Sequence, residues 1–386
     1  MKQEKSLLDR SKWLIGDDVI YLNHGSFGAR TVCVRQAQQR YRDLLEQSPV
    51  DFLDRQASKY LFRSREALGS FLQLDPDGFG FVDNATTGIS AAIHSLELAE
   101  GDEILTTNHV YNGVRQLLVK RARDAHCSYR ELKIPFPSPP SSELVDIIVS
   151  ELHSNVKVLV VDHVSSATAL IFPIKDIAHA CRERGILIIV DGAHAPGMLP
   201  FEPWSVYPDW YVGNLHKWVC APLGAAFVWA SEPKRSSTHP LTISHFLDQS
   251  FLKEFDWQGT KDVSPWLSVY DAIHRLSPEE WLIQMQHNHD LAVAFEESWL
   301  REFELESMYA SDKQYGSIVT VRLPILNITT LEEADAFRDA LYREHRTEIP
   351  VFIFENELFA RFSGQDYVKS EWISHFIEII KTIKVS

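Results

Sequence analysis

The chain is poor in cysteine, in net positive charge and in long apolar runs, and each shortage excludes a class of protein. Four cysteines, Cys33, Cys127, Cys181 and Cys220, stand far apart with no CxxC pair. That argues against a disulfide framework or a zinc ribbon and points to a reducing compartment. Lys and Arg number 38 against 53 Asp and Glu, a net charge of -15, so the overall electrostatic footprint of a nucleic-acid or anionic-membrane binder is missing. No segment approaches the roughly 20 apolar residues that would span a bilayer. The opening "MKQEKSLLDRSKW" is charged throughout and has no apolar signal core. The expectation is a soluble, cytoplasmic protein. No internal repeat or low-complexity segment is present, and no GxGxxG follows the early strands, which disfavours a nicotinamide dehydrogenase.

What is present is length enough for a large core, since 386 residues at about 150 per domain suggest two or three domains. The runs "VKVLVVDHV" and "GILIIVDGAHAPG" are short, β-branched and unbroken, as strands buried on both faces of a parallel sheet are. "SSELVDIIVSELHS" and "IKDIAHACRERG" have helical spacing, the second closing on Gly185 as a C-cap, so a β-α-β unit is predicted. The same alternation covers residues from about 60 to 235. After "FDWQGTKDVSPW" the pattern changes to the long helices "LSVYDAIHRL" and "WLIQMQHNHDLAVAFEESWLREF". The strand-like "GSIVTVRL" and the helix-like "LEEADAFRDALYREH" and "EWISHFIEIIKTIK" follow. The expected organisation is an α/β protein. An N-terminal segment of 1–59 packs on the small domain; a large α/β domain spans 60–260; a smaller α+β domain spans 261–386.

In an open α/β sheet, ligands bind beyond the carboxyl ends of the strands, where "NATTG", "TTNHVY", "VDHVSS" and "VDGAHAPG" fall. Thr86 and Thr87 stand between a strand and a helix start, so hydroxyls, N–H groups and the helix dipole could hold a phosphate; simple capping explains them equally well. Asp191 ends a buried strand, His194 follows it, and Lys217 comes 217 − 191 = 26 residues later. A carboxylate there needs a cationic partner, either a protonated pyridine nitrogen or Lys217 itself. His163, His194, His216 and Asp162 are all metal-capable, but their spacings match no familiar zinc pattern, so no metal is expected.

"NATTG", "VDGAHAPG", "GNLHKW" and "WQGT" in this order, with "YLNHGSFGA" before them and "ARFSGQDY" after, resemble the class V aminotransferase superfamily of fold type I pyridoxal-phosphate enzymes. The nearest resemblance is to its isopenicillin N epimerase-like branch. It implies a large domain with a mostly parallel sheet flanked by helices, a smaller C-terminal α+β domain, and pyridoxal 5'-phosphate as cofactor. By resemblance Lys217 holds the cofactor as a Schiff base and shuttles the substrate Cα proton. Asp191 bonds the pyridinium nitrogen, and His194 touches the phenolic oxygen. Thr86, Thr87 and His216 hold the phosphate, while His109 stacks on the ring with Tyr111 as a competitor two residues away. Gly259 and Thr260 reach the phosphate of the neighbouring subunit, implying a homodimer with shared sites. Arg361 clamps the substrate α-carboxylate, and Asn23 and His24 belong to a loop over the substrate.

Two departures bear on the reaction. Asn214 stands where many relatives have a phosphate-binding Ser or Thr, and no cysteine follows Cys220, so persulfide transfer through an enzyme thiol is not expected. The resemblance implies an enzyme that removes the Cα proton of an α-amino acid. Epimerisation leads, with Tyr111 or His24 as the second proton donor. A β-eliminating carbon–sulfur lyase is the alternative, followed by an aminotransferase and, last, a non-catalytic regulator that binds pyridoxal phosphate.

Overall fold

The computed structural model describes residues 10–325 and 327–385, so the first nine residues of the N-terminal segment lie outside the described residues. Its centre is a seven-stranded sheet. In space the strands run Phe79–Val82, Ala226–Ala230, Trp210–Asn214, Leu187–Asp191, Val156–Asp162, Glu103–Thr107 and Ser128–Leu132. Ala226–Ala230 pairs antiparallel with both neighbours, and all other pairings are parallel.

The unbroken apolar runs are explained by burial on two faces. Along Val156–Asp162, Leu159 and Val161 join one core cluster while Val158 and Val160 join the other. Successive side chains in a strand point to opposite faces, and here helices cover both. Each of these valines and leucines, taken fully from water, contributes roughly 1.5–3 kcal/mol. The helices Ser141–Ser150 and Ile174–Glu183 match the predicted amphipathic stretches, and Gly185 adopts the left-handed conformation (φ 67°) just past the second.

The C-terminal part carries its own three-stranded antiparallel sheet, in which Glu357–Ser363 lies between Val351–Phe354 and Ile318–Arg322. Helices Pro278–Phe303, Leu331–His345 and Ser370–Val385 accompany it. The first two begin with capping boxes, Ser277 with Glu280 and Thr330 with Glu333. The segment "LSVYDAIHRL" is not one long helix. Within it only Val269–Ile273 forms a helix, set off from the preceding Ser264–Leu267 at Ser268, whose hydroxyl bonds back to the Ser264 carbonyl. The hairpin Val351–Ser363 was not anticipated. At the other end, Ile20–Tyr21 pairs in parallel with Thr347–Glu348, tying the N-terminal segment to the C-terminal part. No helix among the described residues is long and apolar enough to cross a membrane.

Candidate active site

The strands Val156–Asp162 and Leu187–Asp191 end side by side, with Asp162 and Asp191 in register. Both carboxyls are buried at the floor of a cavity of about 710 Å³. Burial raises both pKa values, and Asp191 raises that of Asp162 further, because two carboxylates in one apolar setting resist double ionisation. Asp191 is partly compensated by the Ala193 N–H, 3.0 Å from Oδ1, and by the charge of Lys217.

Lys217 follows the strand Trp210–Asn214 and points into the same cavity with 9% of its surface exposed. Its pKa falls to about 7, chiefly through burial and next through the charge of Arg361, with Asp191 and Asp162 opposing the fall. The Nζ lies 3.0 Å from His194 Nε2. A neutral amine at neutral pH is thus within reach, as a nucleophile or proton acceptor requires. The N-terminal loop braces the lysine from behind. Gly28 has φ 73°, and a Cβ there would stand 2.0 Å from the His216 carbonyl oxygen, so only glycine lets the loop approach this closely.

The end of the cavity expected to receive a phosphate lies at the start of helix Ala85–His94. The Asn84 side chain accepts from the Thr87 N–H at 2.9 Å, and Thr86 and Thr87 line the cavity. Asn214 explains its departure from the family pattern: its Oδ1 accepts the Ala85 N–H at 2.8 Å, fastening the helix start to the end of the lysine-bearing strand. His216 lines the wall with its pKa lowered to about 4, mainly by burial, so it is a neutral ring at neutral pH.

Arg361 enters from the strand Glu357–Ser363. Its guanidinium donates to the Ser166 carbonyl and hydroxyl and, at 3.0 Å, to the Ser26 hydroxyl. Arg361 is buried and has no ion pair among the described residues, and Glu357 on the same strand pairs with Arg322.

The cavity therefore gathers Lys217, Asp191, His194, Thr86, Thr87, His216, Asn214, Tyr111 and Arg361. It does not gather the rest. His109 is buried elsewhere, between the Thr168 hydroxyl at 2.6 Å and the Ile134 carbonyl at 3.1 Å. Tyr111, half exposed, lines the cavity, as does Phe27. His24 lies behind Lys217. Its Nδ1 meets the Tyr367 hydroxyl at 3.0 Å, and its Nε2 meets the Lys217 carbonyl and the Gln365 amide. Asn23 lines a neighbouring cavity, and Gly259 and Thr260 line neither. Sequence reading missed Ser26, Ser166 and the role of Asp162 at the floor. The repeated strand ending "VVDH" and "IVDG" was the available signal for Asp162.

The Aminotransferase class-V family model matches residues 28–334. The chain is 30% identical to isopenicillin N epimerase of Streptomyces clavuligerus over 68% of this chain and 70% of that protein. It is 26% identical to L-cysteine desulfhydrase of Arabidopsis thaliana over 86% of this chain and 78% of that one. Among solved structures, a C-DES mutant with glycine covalently linked to its PLP cofactor superposes with a TM-score of 0.82 at 17% identity, covering 97% of this chain and 99% of that one.

Proposed function

The chain belongs to the aminotransferase class-V family, and on that premise we propose that this pyridoxal-phosphate enzyme cleaves the Cβ–S bond of S-substituted L-cysteines. The residues present fit the cofactor. His194 Nδ1, His216 Nδ1 and Asp162 Oδ2 are buried polar atoms of the cavity wall without a hydrogen-bond partner. Such atoms are expensive unless a ligand satisfies them. In this reading Lys217 holds the cofactor and Asp191 its ring nitrogen. His194 meets the ring substituent, Tyr111 covers the ring from the rim, and Thr86, Thr87, Asn214 and His216 form the phosphate end. When bound, the cofactor supplies an electron sink that lowers the cost of removing a Cα proton.

Arg361 receives the substrate carboxylate with a planar fork that Ser26 and Ser166 already orient. Lys217 Nζ takes the Cα proton, the Cβ–S bond breaks with its electron pair leaving on sulfur, and His194, 3.0 Å away, steadies the amine. Addition of water to the remaining three-carbon fragment yields pyruvate and ammonia.

One observation carries elimination over epimerisation: among the described residues lining the cavity, Lys217 is the one amine, with its pKa near 7. Inversion at Cα benefits from a second proton donor on the other face. His24 is walled off behind Lys217, which leaves Tyr111 at the exposed rim. Tyr111 and the epimerase relative favour epimerisation as the second reading. The test is to incubate the holoenzyme with S-methyl-L-cysteine, L-cystine and unsubstituted L-amino acids in D₂O, following pyruvate, thiol and D-isomers together. Pyruvate equal to released sulfur species is expected. Accumulation of Cα-deuterated D-isomers without pyruvate would replace elimination by epimerisation.

A further inference from the structure

A second cavity of about 600 Å³ adjoins the first, and His216, Phe27 and Leu223 line both. Phe27 and Leu223 are both exposed and stand together where the two cavities meet. The second cavity holds two unlike charges, Glu348 and Arg30, together with the rings of Tyr21 and Tyr342. Among the described residues neither charge has an ion-pair partner: the Glu348 carboxylate accepts from the Asn23 amide at 3.1 Å, and Arg30 donates to the Gln38 amide oxygen at 2.7 Å.

A hydrogen-bonded relay joins this cavity to the carboxylate clamp. Arg361 donates to the Ser26 hydroxyl at 3.0 Å, Ser26 donates to Asn23 Oδ1 at 2.6 Å, and Asn23 Nδ2 donates to Glu348. Asn23 is thus held at both ends, and the position of Glu348 is fixed relative to the group that holds the substrate head. A carboxylate flanked by aromatic rings suits a substituted ammonium, and a guanidinium suits a carboxylate.

The geometry points to a second substrate subsite in which Glu348 receives a cationic group and Arg30 an anionic group at the far end of the substrate side chain. Resting on the lyase reading, it names the substrate class. The preferred substrates are S-substituted cysteines whose sulfur substituent ends in an amino-acid-like zwitterion. The side chain leaves the first cavity past Phe27 and Leu223.

The test uses amino acids that have no leaving group on Cβ, so that binding is read apart from elimination. The visible band of the holoenzyme is titrated with L-norleucine, with L-2-aminopimelate, which adds the distal anion, and with LL-2,6-diaminopimelate, which adds both charges. Diaminopimelate should bind at least about ten-fold more tightly than norleucine, the scale of one charge-assisted hydrogen bond. Glu348→Gln, which keeps the acceptor for Asn23, should abolish the gain from the distal ammonium. Arg30→Gln should abolish the gain of aminopimelate over norleucine. Equal affinities for all three ligands in the wild type would overturn the subsite without any variant needing to fold. So would a Glu348→Gln enzyme with the wild-type ranking. Tight diaminopimelate binding in an enzyme that releases no pyruvate from S-substituted cysteines would leave the subsite standing and sink the lyase reading instead.

Discussion

Asp191 is an expensive residue to bury, because it sits in register beside Asp162 and shares an apolar floor with it. A structural Asp at a strand end would be content with the Ala193 N–H; this one also faces Lys217 across the cavity. Asp191→Ala should therefore cost catalysis far more than cofactor retention, with turnover falling at least ~10²-fold, the scale of losing one preorganised electrostatic contact. Turnover near wild type at full cofactor content would reduce Asp191 to a cap. Lys217 gives a pH prediction with a definite sign. Its native pKa of about 7 lies below the ordinary lysine value, so the reactive neutral amine is populated above pH 7 instead of above pH 10. Cofactor capture by the apoprotein, followed by absorbance, should rise with pH through a midpoint near 7 and be absent in Lys217→Ala; a midpoint near 10 would contradict the buried setting. At this scale Lys217, Asp191 and Arg361 were legible because chemistry-bearing side chains stood at strand ends or in recognisable motifs. Ser166 was not, because its contact with Arg361 is made largely through a backbone carbonyl, which has no side-chain signature. His109 lies outside the cavity lining while Tyr111 lines it, and order along the chain does not say which of the two rings turns inward.

The proposed phosphate end depends on how a helix is fastened to a strand. Asn84 caps helix Ala85–His94 from its own start, and Asn214 reaches it from the neighbouring strand end. The two act differently, so Asn214→Ala should leave the fold intact, as judged by its melting temperature, yet weaken cofactor affinity up to about ten-fold, matching a net hydrogen-bond contribution of ~0.5–1.5 kcal/mol. A fluorescence titration of apoprotein with pyridoxal phosphate reads this directly, and an unchanged affinity would make the brace irrelevant to binding. Elements with strong periodicity were legible: the buried strands and the helices Ser141–Ser150, Ile174–Glu183 and Leu331–His345 lie where their apolar spacing puts them. The hairpin that carries Arg361 was not. Its two-residue turn is Glu355 and Asn356, with φ 47° and 67°, a conformation usually announced by glycine. Glutamate at the first of these positions hides the turn, and it is the pairing of Val351–Phe354 with Glu357–Ser363 that imposes it.

At the scale of the whole molecule, Gly259 and Thr260 were expected to serve the neighbouring subunit's site and not their own. In this chain both lie outside the cavity lining: Thr260 is exposed, and a Cβ on Gly259 would meet nothing within 4 Å. Their neighbour Lys261 nevertheless pairs with Asp83, which does line the cavity, so the segment is anchored at the rim while its tip projects away. We propose that this tip serves a second copy of the chain, in a homodimer in which each Thr260 completes the partner's phosphate end. The consequence is complementation. Chains carrying Lys217→Ala cannot hold the cofactor covalently, and chains carrying Thr260→Ala would spoil the partner's site. In a heterodimer, one of the two sites then has an intact Lys217 from the second chain and an intact Thr260 from the first. Mixing the two inactive homodimers, with subunit exchange verified by native mass spectrometry, should restore activity toward one wild-type site per heterodimer, about half the wild-type dimer's turnover if sites act independently. If Thr260 served its own chain instead, the single intact Thr260 and the single intact Lys217 would never share a site. Exchange without recovery would therefore place Thr260 in its own subunit's site or in none. Activity in a Thr260→Ala homodimer equal to wild type would remove the residue from the phosphate end altogether.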